Sequence, residues 1–237
     1  YSLLRVRNRK YEEIMSIPRE VNTRFFKRMK EANLDFKHIV DVGCYRGKWT
    51  ELAKQTYTDA QYYLIDANDT YKKELEKLGT FYCSIISEKG GERSFHYSKE
   101  KADQTGSSLY EENSNVPFKT IKKETKKLSD ILPKEVTMDY IKMDVQGAEL
   151  EIIEGSLDLF EKTKFVQLEC PVHPNNKGAP LFEHYINYMA NCNFKVFDLD
   201  SIFYNGKLMA IDFIFVNKKL PKVTSLENDK LYYKENK

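Results

Sequence analysis

A chain of 237 residues is long enough for one α/β domain with a core of ordinary size. Its 38 basic and 36 acidic residues leave a net charge of +2, which argues against a dedicated nucleic-acid binder. No apolar run reaches the roughly 18 residues of a membrane span, and no stretch reads as a signal peptide.

The four cysteines, Cys44, Cys83, Cys170 and Cys192, lack C-x-x-C spacing and read as small buried thiols in a reducing compartment. The expectation is a soluble, cytoplasmic protein. The chain begins at Tyr1 rather than Met, which reads as a piece cut from a longer chain.

Residues 10–34 carry apolar groups at helical spacing, with Pro18 breaking two short helices. A first strand follows over 38–43 and a helix over 47–56. A second strand covers 61–66, with a helix over 69–78 ended by Gly79. The third strand runs from Thr80 to Ile86. A turn at Ser87–Gly91 leads into a small extra strand over 93–97. The polar loop 98–115 is placed over the active site. Val116–Ile121 reads as another short strand and Leu128–Leu132 as a short helix. The fourth core strand is Met138–Asp144, and Gly147 opens a helix whose Leu150, Ile153, Leu157 and Phe160 share one face. Lys164–Glu169 is the fifth strand, and Pro180 opens a helix with Phe182, Tyr185, Ile186 and Met189 inward. Phe194–Asp198 and Ala210–Val216 complete the sheet, with Asn205-Gly206 as a turn between them. The expected organisation is one domain over 1–237: an N-terminal helical segment at 1–36, a sheet core at 37–217 and a polar tail at 218–237.

The informative stretch is His38-Ile39-Val40-Asp41-Val42-Gly43-Cys44-Tyr45-Arg46-Gly47-Lys48-Trp49-Thr50. An apolar run, two glycines and a helix start form the first unit of a doubly wound sheet. Gly43 permits a sharp turn, and Gly47 lets the helix begin close to whatever lies above. The free N–H groups of a helix start suit a carboxylate-bearing ligand. A nicotinamide fingerprint fails because Tyr45 and Lys48 stand where glycines are required, and a P-loop fails at Trp49. Asp66 ends the second strand, nineteen residues past Gly47, where an acid accepts both hydroxyls of a ribose. A D-x-G-x-x-x-G turn with this acid fits S-adenosylmethionine better than a dinucleotide.

Asp144 is delivered to the same sheet edge as Gly43 and Asp66, because parallel strands end on one rim. There, Tyr140-Ile141-Lys142-Met143-Asp144-Val145-Gln146-Gly147-Ala148-Glu149-Leu150-Glu151-Ile152-Ile153-Glu154-Gly155 resembles the FkbM family of S-adenosylmethionine-dependent methyltransferases. The Asp41–Gly47 turn, Ile86-Ser87-Glu88-Lys89-Gly90, Ser107-Ser108-Leu109 and Glu169 also match, in family order over roughly residues 38–216. Tyr45 departs from the family's common Asn, and Gln146 from its common Glu. The resemblance implies a Rossmann-like class I methyltransferase fold. Its seven-stranded, mostly parallel sheet has order 3-2-1-4-5-7-6, an antiparallel last strand and helices on both faces. It also implies O-methylation, often of sugar or polyketide hydroxyls.

On this reading Asp41, Gly43, Cys44, Tyr45 and Gly47 line the methionine part of the cofactor. Asp66 with Ala67 holds the ribose, and Ser84 and Ile85 meet the adenine. A sugar hydroxyl needs a base at neutral pH. His173 is assigned as that base on its intrinsic pKa and its Pro-bounded loop, with Asp144 and Glu169 orienting it or the acceptor. The alternatives are that Asp144 binds the cofactor's ammonium group, Glu169 caps a helix and His173 is an ordinary loop residue. Two carboxylates and a histidine also suit a divalent metal, though no tight ligand spacing is present and no metal site is assigned. The expected acceptor is a sugar or glycan hydroxyl, on a deoxyhexose such as rhamnose, with no nucleic-acid partner. The chain is expected to be fused to other glycan-modifying domains. The competing readings are a methyltransferase for another small molecule or a protein, and a catalytically silent cofactor-binding module.

Overall fold

The computed structural model describes residues 20–98, 106–114 and 117–220. Helix α1 spans Glu20–Glu31, followed by β1 at His38–Val42, α2 at Lys48–Lys54, β2 at Gln61–Asp66, α3 at Lys72–Leu75 and β3 at Thr80–Cys83. Next come β4 at Ile85–Ile86, β5 at Gly91–Ser98, β6 at Phe118–Lys126 and α4 at Leu128–Ile131. The second half holds β7 at Tyr140–Met143, α5 at Glu149–Gly155, α6 at Leu157–Phe160 and β8 at Phe165–Pro171. It ends with α7 at Phe182–Asn191, β9 at Phe194–Tyr204 and β10 at Lys207–Asn217.

Among the described residues the strands form a seven-stranded sheet in the order β3-β2-β1-β7-β8-β10-β9 and a three-stranded sheet in the order β4-β6-β5. With the small sheet set aside, the large one has the expected order 3-2-1-4-5-7-6. Its first five strands are parallel and β10 is antiparallel to both neighbours. This is the Rossmann-like class I methyltransferase fold.

Side chains alternate across a strand, so each core strand feeds both faces. Val40, Val42, Ile141, Met143, Val166 and Leu168 pack toward α5 and α7. Ile39, Tyr140, Phe165 and Ile214 pack toward α1 and α2. The second face is aromatic. Phe25 of α1 lies edge-on to Phe165 at 5.0 Å and to Phe197 at 5.8 Å, and Phe36 stacks on Tyr57 at 4.6 Å. Outside this layer, Arg24 and Arg28 both pair with Asp198 of β9, at 2.7 and 3.0 Å, and pin α1 across the sheet.

Several boundaries move from the sequence expectation for local reasons. Among the described residues the first helix is Glu20–Glu31; the part of the expected helical segment over 10–19 lies outside the described residues, as do the chain's first residues and the tail beyond 220. The helix expected over 69–78 shrinks to α3 because the Asn68 side chain accepts the Thr70 N–H at 2.9 Å and holds an Asx turn. The third strand splits at Ser84. Its N–H takes the last carbonyl of β2, and Ile85–Ile86 then find new partners at Thr125 and Lys126. The strand expected over 116–121 instead runs from Phe118 to Lys126 and pairs with β5. Asn205 and Gly206 take φ of 50° and 74°, the left-handed pair of a tight hairpin turn, between strands far longer than expected.

Phe25→Ala should lower unfolding free energy by about 3–5 kcal/mol, because a fully buried ring leaves a void that many partners line. Phe203→Ser, at a side chain 56% exposed, should stay within about 0.5 kcal/mol. Urea midpoints of the two variants check both.

Candidate active site

The β1–α2 turn is closed by its own backbone. The N–H groups of Gly43 and Cys44 both donate to the Ile65 carbonyl, at 2.8 and 3.2 Å, and Gly47 N–H donates to the Cys44 carbonyl at 2.7 Å. Gly43 has φ 74°, and a Cβ there would lie 1.9 Å from the Asp144 carbonyl oxygen. Nothing but glycine fits between the ends of β1 and β7.

Asp66 ends β2 and is fixed by two backbone donors. Its Oδ2 accepts Tyr45 N–H at 2.8 Å and its Oδ1 accepts Asn68 N–H at 2.9 Å. A carboxylate offers about four acceptor positions, so two remain for a diol. Burial pushes the Asp66 carboxyl above its usual range, against the pull of these two N–H groups and of Lys142.

Beside it opens a cleft of about 330 Å³ that continues into solvent. Gly43, Asp66, Ala67 and Ser84 give its polar margin, and Val42, Ile65, Ile85, Ile86, Leu109, Val145 and Ala148 its apolar walls. One flat apolar slot with one acid at its rim suits a base attached to a ribose.

The far wall is built by the turn after β7. Gln146 and Gly147 have φ of 59° and 105°. Glu149, buried in the first turn of α5, accepts Val145 N–H at 2.8 Å, Gly147 N–H at 3.0 Å and the Tyr185 hydroxyl at 2.6 Å. Burial raises the Glu149 carboxyl above its usual range and these donors pull it back. Over this turn runs the segment 107–114. Ser108 Oγ donates to the Gln146 carbonyl at 2.9 Å, Leu109 enters the cleft wall, and the Tyr110 carbonyl accepts Asn176 Nδ2 at 3.2 Å. Glu111 pairs with Lys177, and Asn113 N–H donates to the Asn175 carbonyl at 2.7 Å. The described part of the polar loop thus straps the cleft to the loop that carries His173.

The expected site residues separate into three groups. Gly43, Asp66, Ala67, Ser84 and Ile85 line the cleft together. Asp41, Cys44 and Gly47 lie outside its lining. Asp41 is 1% exposed, with Oδ2 accepting the Thr50 hydroxyl at 2.7 Å and Oδ1 facing the Lys142 ammonium at 3.2 Å. Cys44 is buried, which pushes its thiol well up. The face of Gly47 that lacks a side chain meets Leu78 and Leu75, so this glycine serves helix packing. Tyr45 contributes its N–H to Asp66, and its ring stands against Tyr71 at 5.5 Å. The third group lies on β7, β8 and the segments that follow them. Met143 pairs with Leu168, so Asp144, just past β7, stands next to Glu169 within β8, and Glu169 is opposite Asp212 of β10. Asp144 accepts from Gln146 Nε2 at 2.9 Å and lies 3.8 Å from Lys142. His173 sits two residues past the end of β8, where its carbonyl accepts Asn175 N–H at 2.7 Å.

Two residues escaped the sequence reading. Glu149 stands in the quoted Gly147-Ala148-Glu149 run, and an acid in a helix's first turn is a signal for binding free N–H groups. Lys142 is a lone cation in the apolar run Ile141-Lys142-Met143, where strand alternation sets it on the Asp41 face.

A family model, the methyltransferase FkbM domain, matches residues 41–196. The chain belongs to the FkbM methyltransferase family. Members of this family use S-adenosylmethionine, the cofactor of this chain too. None of the curated proteins compared with the chain matches it in sequence. Among solved structures, magnesium protoporphyrin IX methyltransferase from Synechocystis with bound S-adenosylmethionine is 11% identical, with a TM-score of 0.49 over 82% of this chain and 76% of that one. TrmK from M. capricolum with S-adenosylhomocysteine is 13% identical, with a TM-score of 0.46 over 80% and 67%. Precorrin-6y C5,15-methyltransferase from Geobacter metallireducens is 12% identical, with a TM-score of 0.43 over 78% and 81%. Among the described residues, no helix is long and apolar enough to cross a membrane.

The raised carboxyl of Asp66 makes a pH prediction. The folded state holds a proton there that the unfolded chain releases, so this contribution to stability is full below the unfolded pKa and is lost as pH rises through the folded one. Asp66→Asn should therefore flatten the fall in urea midpoint as pH rises above about 4, the ordinary carboxyl range, relative to the parent chain. An unchanged slope would show that Asp66 takes no part.

Proposed function

We propose that this chain is an O-methyltransferase for a sugar or glycan hydroxyl, with a deoxyhexose such as rhamnose as the acceptor class. The observation that carries the reading is the pair of carboxylates Asp144 and Glu169, neighbours across β7 and β8. Carboxylates accept hydrogen bonds from vicinal hydroxyls and repel phosphates, so such a pair favours a neutral polyhydroxyl acceptor over nucleic acid. The turn Asp144-Val145-Gln146-Gly147 also lacks the Pro-Pro-aromatic pattern of amino-methylating enzymes. Four free cysteines suit a reducing compartment and support a cytoplasmic site of action.

The residues present fit the cofactor. Gly43 lines the cleft, Asp66 keeps acceptor positions for ribose hydroxyls, and Ser84, Ile85, Ile86 and Val145 bound a slot for adenine. S-adenosylmethionine, when bound, supplies a methyl group already activated by its sulfonium. What remains for the protein is to hold an acceptor oxygen in line, and positioning supplies about 7–11 kcal/mol of such a barrier. Glu169 orients the acceptor's hydroxyls, and His173, in the loop strapped to the cleft, takes the proton. A positioned base contributes roughly 10²–10⁴-fold.

A labelled-methyl screen over free glycosides, a protein extract and RNA tests the acceptor class. Label should enter a glycoside hydroxyl; label confined to protein, RNA or another small molecule would overturn the reading. With an acceptor in hand, His173→Ala should cut turnover by roughly 10²–10⁴-fold and leave S-adenosylhomocysteine affinity unchanged. Unaltered turnover would remove His173 from the mechanism.

A further inference from the structure

Lys142 is a cation where a buried apolar residue would satisfy the fold. Its side chain is 10% exposed, at the rim of β7. A buried ammonium is costly unless its charge and donors are taken up. Three groups from three places share this: one carbonyl accepts a hydrogen bond, and two carboxylates balance the charge. Nζ lies 3.2 Å from Asp41 Oδ1 on β1, 3.2 Å from the Gly43 carbonyl in the turn, and 3.8 Å from Asp144 Oδ2 beyond β7. The Asp41 side chain is 1% exposed, whereas that of Asp144 is 32% exposed. The inner acid therefore anchors the lysine, and the outer acid is the member that reaches a ligand. Gln146 Nε2 holds the other oxygen of Asp144.

We infer that Lys142 is a positioning residue: through Asp144 it fixes the anion that receives the ammonium of the cofactor's amino-acid end, while Asp66 serves the nucleoside end. This rests on reading the Gly43–Asp66 cleft as the S-adenosylmethionine site. Asp144 follows β7 beside Gly43, with Asp66 of β2 on the other side of that glycine, and its side chain is 32% exposed there. Two acids around one lysine leave this corner net negative, the sign that suits a ligand carrying an ammonium and a sulfonium. The lysine keeps the pair of carboxylates from repelling each other and aims the outer one.

Calorimetry with two neutral-sulfur probes separates positioning from scaffolding. S-adenosylhomocysteine carries the amino acid; 5′-methylthioadenosine is the same nucleoside thioether without it. Lys142→Met should weaken S-adenosylhomocysteine about tenfold, the size of one lost charge-assisted contact, and leave 5′-methylthioadenosine within about twofold. Asp66→Asn should weaken both. Equal losses for both probes in Lys142→Met, or no loss for either, would overturn the inference. Where Lys142→Met fails to fold, Asp144→Asn keeps the shape and carries the same expectation, and an unchanged S-adenosylhomocysteine affinity there refutes it. A parent chain that binds neither probe would instead overturn the reading of the cleft.

Discussion

The contact on which this molecule depends is the closure of β1 against β7 at Gly43. There the backbone of one strand end fills the space where any other residue's Cβ would stand, 1.9 Å from the Asp144 carbonyl oxygen. The closure brings a self-bonded turn, a buried cation and a partly exposed acid to one point on the rim. It also places Val145 as the far wall of the cleft that Ile65 and Ile85 begin. Lys142 bridges the same seam from beneath, and Glu149 ties down the turn that follows it. Had the two strands been a residue further apart in register, the slot would have no second side.

The two faces of the sheet divide the labour. The α1–α2 face is an aromatic layer, with Phe25, Phe36, Tyr57 and Phe165 in mutual contact, that holds the central strands rigid. Gln167 is satisfied inside it: its Oε1 accepts both Trp49 Nε1 and the Tyr140 hydroxyl, at 3.1 and 3.0 Å. The opposite face carries α5, α7 and the small sheet, whose Phe95 and Ile121 join its core. From this side comes the segment 107–114, which touches both the cleft and the His173 loop. The cleft and the His173 loop are thus connected through short polar contacts rather than through the apolar core.

Much of this was legible in the sequence. Alternating apolar runs ending in Gly43, Asp66 and Asp144 fixed three strand ends on one rim, and strand order followed from the family resemblance. The Ser84–Ile85 corner of the cleft was also readable, because it follows the third strand. What escaped was set by tertiary partners. Nothing in Thr80–Ile86 signals that β2 stops at Asp66, so the split that sends Ile85–Ile86 into a second sheet was hidden. The reach of β9 and β10 past the sheet depends on their pairing with each other. Gly47 read as a ligand-facing glycine because its partners, Leu75 and Leu78, are far along the chain. Lys142 read as one lysine among many until register set it beside Asp41.

The central claim is that the rim between Gly43 and Asp66 holds S-adenosylmethionine. A crystal structure with S-adenosylhomocysteine tests it most directly. The account predicts the ribose hydroxyls on the two open positions of the Asp66 carboxylate and the adenine between Ile85 and Val145. A nucleoside bound elsewhere on the chain, with that slot still open, would contradict it.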